Sequence, residues 1–110
     1  MQVPRIKIGH LWYDMVYTEN AIVDETTVLA GQCDSNKLTI NIWTGRKESA
    51  MNCTILHEIL HAIGFERDLD LTERQVNQLA CGLSAFICDN PEVITCLSSA
   101  HGKSSGHSDG

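Results

Sequence analysis

Positions 57 to 61 read His57-Glu58-Ile59-Leu60-His61, the HExxH spacing. Side chains four apart on an α-helix lie one above the other on the same face, so the two imidazoles can close on one cation. Zinc takes neutral imidazole nitrogens at about 2.0–2.1 Å and lowers the pKa of a coordinated water toward about 7. Glu58 stands next to the first histidine, within reach of a proton on that water. The pattern therefore points to metal-assisted hydrolysis, with His57 and His61 as ligands and Glu58 as general base. The competing reading, two core histidines, would bury polar rings at a cost unless each found a partner.

A catalytic zinc needs a third protein ligand and an open fourth position. The extended HExxHxxGxxH form fails here, because Gly64 is present but Arg67 stands where the last histidine would be. The best remaining candidate is Glu73. It precedes Val76 by three and Ala80 by seven, which aligns it with the apolar stripe that a following helix would turn toward the first. Its bland alternative is an acidic first-turn residue that serves the helix dipole. Asp70 ranks next, and Asp68 and Glu66 are further candidates in the connecting segment. Cys53 lies one turn before His57 and can approach the site, although a packed thiol is its ordinary role. Cys81 and Cys88, seven apart, share a helix face, but two thiols do not close a zinc site. His10 reads as a turn residue, and His101 and His107 as solvated tail histidines. Asn41 and Trp43 are candidates to line a cleft in which an extended peptide adds as a further strand.

The elements that must carry these residues follow from periodicity. Residues 5–9 and 11–17 are rich in Ile, Val, Trp and Tyr and flank Gly9-His10, which predicts a hairpin. Residues 18–27 read as a polar connection. Residues 28–33 and 38–43 flank Asp34-Ser35-Asn36-Lys37 and predict a second hairpin, with Leu38, Ile40 and Ile42 on its buried face. From residue 48 the period becomes helical through Ala50, Cys53, Leu56, Leu60 and Ile63, and Gly64 is the expected left-handed cap. Thr72 and Gln75 have the form of a capping box for a second helix, whose stripe is Val76, Leu79, Ala80, Leu83, Phe86 and Ile87 and which Asn90-Pro91 ends. Residues 91–99 suggest a short ordered segment.

The chain has 110 residues, a hydrophobic fraction of 43% and a formal net charge of -6. That length suits one domain, expected over residues 1–97, with 98–110 as a disordered tail of Gly, Ser and His. The acidic balance excludes a phosphate-neutralising surface, so no direct nucleic-acid contact is expected. No apolar run approaches a membrane span, and the first residues lack the apolar core of a secretory signal, so the expected location is the cytoplasm. Five cysteines without a CxxC pair fit reduced intracellular thiols better than a disulfide framework. The expected fold class is α+β: a small antiparallel sheet from two hairpins, packed on the HExxH helix and a second, C-terminal helix.

Several segments together resemble one family. They are Leu29-Ala30-Gly31-Gln32-Cys33-Asp34, the run from Thr54 to Ile63 around the motif, Leu71-Thr72-Glu73-Arg74-Gln75-Val76, and Asp89-Asn90-Pro91-Glu92. The chain resembles small phage and prophage proteins grouped with the ImmA/IrrE-like metallopeptidases, over roughly residues 5 to 92. The resemblance implies a minimal zincin core, Zn2+ held by His57, His61 and a downstream Glu, and Glu58 as base. Glu73 matches that downstream position best, although the register that places Glu before Ala-Asn in family members falls here on Gln75, before Val76-Asn77. It implies a peptide or protein substrate, with repressor-type regulators the kind that such relatives cleave. A second reading is a non-catalytic phage accessory protein, in which zinc stabilises the fold and the chain binds and inhibits a host protein.

Overall fold

In the computed structural model, which describes residues 2–102, the first hairpin forms as expected. β1 (Arg5–Ile8) and β2 (Leu11–Thr18) pair antiparallel with Ile8 opposite Leu11. Gly9 opens the two-residue link with φ of 63°, the positive value that primed hairpin turns require. The segment expected to be a polar connection instead holds β3 (Ile22–Asp24) and the start of β4 (Thr27–Leu29), so residues 28 and 29 belong to a separate two-stranded ribbon and not to the second hairpin. Its turn places Glu25 at φ 59° without the Gly or Asn that usually signals such a turn.

β5 (Gly31–Asp34) and β6 (Thr39–Trp43) form the second hairpin. Asp34 Oδ1 accepts the backbone N–H groups of Asn36 and Lys37 at 3.0 and 3.1 Å, which fixes the turn locally. The two hairpins join through β2 and β6, which run parallel with Met15 opposite Ile40 and Tyr17 opposite Ile42. The sheet is therefore mixed, in the order β1-β2-β6-β5, and corrects the expected all-antiparallel arrangement. The reason is connectivity: from the end of β2 the chain passes through the ribbon, whose β3 touches β6, to the outer place of β5, and β6 returns beside β2 in the same direction.

α1 (Glu48–Arg67) covers one face of this sheet. Its Ile55, Ile59, Ala62 and Ile63 pack on Ile8, Tyr13, Met15, Ile40 and Ile42. Tyr13, Ile40 and Ile42 are fully buried, each worth roughly 1.5–3 kcal/mol of apolar burial. The helix does not stop at Gly64. It continues to Arg67, and Asp68 takes the left-handed position at φ 58°, its N–H reaching the carbonyls of Gly64 and Phe65. α2 (Glu73–Asp89) begins at the expected capping box: Thr72 Oγ1 accepts the Gln75 N–H at 3.1 Å, and Gln75 Oε1 accepts the Thr72 N–H at 2.9 Å. Its buried Val76 and Ala80 belong to the stripe that packs on α1.

α3 (Pro91–Gly102) follows at once, so residues 98–102 are helical rather than part of a tail, and 103–110 lie outside the described residues. The result is an α+β fold with a small mixed sheet and three helices among the described residues. No helix among them is long and apolar enough to cross a membrane.

Candidate metal centre

The middle of α1 presents His57 and His61 one turn apart, with their Nε2 atoms 3.1 Å from each other and their rings inclined at 63°. The first residue of α2 completes the group. Glu73 Oε1 lies 3.2 Å from His57 Nε2, and Oε2 lies 3.0 Å from His61 Nε2. The capping box fixes where α2 starts and therefore where Glu73 points, so a residue suited to the helix dipole also faces the two rings.

These distances test whether the residues suit a cation. Four ligands held tetrahedrally at about 2.0–2.1 Å have donor atoms about 3.3–3.4 Å apart. The observed N···N and N···O separations of 3.0–3.2 Å are within a few tenths of that. Candidate ligand atoms of His57, His61 and Glu73 all lie within 4.8 Å of one another, and no other such group occurs among the described residues. Two imidazoles and one carboxylate, with Glu73 70% exposed on the open side, can hold a metal ion and leave access to it.

The other third-ligand candidates point elsewhere. Glu66 pairs with Arg67 at 3.2 Å and packs against Gly9 of the first hairpin. Asp68 is the exposed left-handed cap of α1, and Asp70 is exposed in the connection; neither joins the ligand group.

Glu58, the neighbour of His57 on α1, is only 6% exposed. Burial pushes its carboxyl up to about 7, the negative charge of Glu73 adds to the rise, and a backbone hydrogen bond from Cys33 opposes it. The close passage of β5 over α1 depends on Gly31. A Cβ there would stand 2.6 Å from Thr54 Cγ2 and 3.1 Å from Glu58 Cγ. A cleft of about 500 Å³ opens at this point, lined by His57, His61, Glu73, Glu58 and residues 29, 31–33 and 35.

The strand wall of the cleft is β5, the outer strand, and not β6 as Asn41 and Trp43 suggested. Those two residues alternate with the core-facing Ile40 and Ile42, and Trp43 Nε1 donates to the Glu19 carbonyl at 3.3 Å. Gln32 and Cys33 of β5 and Ser35 in the turn after it were missed as cleft residues; Gly31 at the head of the strand signals a close approach but not what is approached. Cys53 lines a smaller hollow of about 250 Å³ with His57 and Glu58, and its thiol contacts Cys81. Cys88 lies apart in a groove with Leu56 and Ile87. His10 is exposed in its turn, and the side chains of His101 and His107 lie outside the described residues. No family model, curated protein or solved structure matches the chain.

Proposed function

We propose that the chain is a zincin-like zinc metallopeptidase, with His57, His61 and Glu73 holding the ion and Glu58 acting as general base. The observation that carries this reading is the convergence of those three side chains beside a buried carboxylate at the floor of an open cleft. Zinc, when bound, supplies positive charge that acidifies water and polarises a carbonyl. Glu58 takes the proton of the attacking water and returns it to the departing amine nitrogen. A carboxyl raised toward neutrality suits both duties. The substrate is a peptide lying extended along the open edge of β5, where strand addition aligns its backbone over the cleft. The resemblance to ImmA/IrrE-like proteins extends the proposal to a repressor-type regulator as substrate, in the cytoplasm of a phage-bearing host.

Quenched-fluorescent peptide libraries test the reading. The zinc-loaded protein is expected to cleave a subset, and Glu58→Gln to keep its zinc while losing roughly 10²–10⁴-fold in kcat/KM. Equal cleavage by Glu58→Gln would overturn the role of the base. Zinc binding with no cleavage of any library member would favour a binding protein on the same scaffold.

A further inference from the structure

The two helices that carry the ligands also carry two thiols that meet. Cys53 on α1 and Cys81 on α2 have their sulfurs 3.9 Å apart, the only thiols in contact among the described residues. Cys53 is half-buried and Cys81 is exposed. Cys53 stands one turn before His57, and Cys81 follows Glu73 by eight residues, so the contact spans the same helix pair that brings Glu73 to the histidines. Neither thiol belongs to the ligand group.

We propose that Cys53 and Cys81 are a modification site, forming a reversible disulfide that staples α1 to α2 beside the metal centre. A disulfide needs its sulfurs at about 2.05 Å, so they must close by a little under about 2 Å, the scale of a side-chain adjustment. The oxidant is a low-molecular-weight disulfide, RSSR. Exposed Cys81 attacks it as the thiolate, making Cys81–S–S–R and releasing RS⁻, which takes up the proton that Cys81 lost. The Cys53 thiolate then attacks the Cys81 sulfur. The Cys53–Cys81 bond forms, the second RS⁻ leaves, and it takes the proton from Cys53. Two protein thiols are oxidised and one RSSR is reduced to two RSH. The spacing of the ligand-bearing helices thereby becomes redox-dependent.

The test uses the full chain with a chelator present, exposed to oxidised glutathione, quenched with an alkylating agent and mapped by peptide mass spectrometry. The expected product is a cross-linked peptide joining Cys53 to Cys81, retained in Cys88→Ser and lost in Cys81→Ser. The cross-linked form is expected to melt roughly 15 °C higher than the reduced form, as closing a loop of this length implies. Glutathione persisting on Cys81 while Cys53 stays open to alkylation would overturn the proposal, as would a dominant cross-link between other cysteines. Because no cation takes part, failure here leaves the metallopeptidase proposal standing, and failure of that proposal leaves this one.

Discussion

Among single residues, Glu58 sets the sharpest expectation. Its folded pKa of about 7 lies above the ordinary 4.5, chiefly because the carboxylate is buried and secondarily because Glu73 repels it. The folded state therefore binds this proton more tightly than the unfolded state does. In metal-free protein the contribution is fully present below pH 4.5 and is lost as pH rises to about 7, by on the order of 3 kcal/mol. Urea unfolding in the presence of a chelator checks this. Glu58→Gln is expected to lose less stability than wild type across that window, and parallel curves for the two proteins would contradict it. The same burial that penalises the carboxylate places it at the floor of the cleft. Much of this was legible in advance: HExxH identified His57, Glu58 and His61 because helix geometry alone puts such residues together, and the phase of the second helix pointed to Glu73. Gln32, Cys33 and Ser35 were not legible, because they reach the cleft through a strand crossing over a helix that is distant in sequence.

At the level of elements, local signals held where one side chain decides the geometry and failed where tertiary packing does. The Thr72–Gln75 box formed as read, since both of its hydrogen bonds are contained within four residues. Thr72→Ala is expected to cost about 1 kcal/mol and to weaken zinc binding as well, because the cap orients Glu73; urea midpoints and metal titration measure the two effects. Gly64 was misread as a cap. With the sequence Gly64-Phe65-Glu66-Arg67 able to continue the helix and pack its turn, the left-handed position moved to Asp68. A Cβ at Gly64 would meet only the Leu69 carbonyl at 3.7 Å and Leu71 Cδ1 at 3.9 Å, ordinary contacts. Gly64→Ala should therefore stabilise the protein by roughly 0.5–1 kcal/mol, raising its urea midpoint. The parallel pairing of β2 with β6 was invisible to periodicity, because alternation identifies a buried face and says nothing of which strand lies alongside.

The whole molecule joins a mixed sheet, one covering helix and a second helix whose first turn reaches back to the first. Residues 57 and 73 are far apart along the chain, so folding assembles the site, and a cation that binds there stabilises the folded state by mass action. At a free concentration a thousand times Kd the gain is about 4 kcal/mol. The expectation of one bound ion per chain follows from a single ligand group among the described residues. The most direct measurement is zinc stoichiometry and affinity by elemental analysis and competition titration, on wild type and on His57→Ala, His61→Ala and Glu73→Ala. One zinc per wild-type chain is expected, with each substitution weakening binding at least tenfold. Wild-type protein that takes up no zinc, or a Glu73→Ala variant that binds it as tightly as wild type, would contradict the proposed centre.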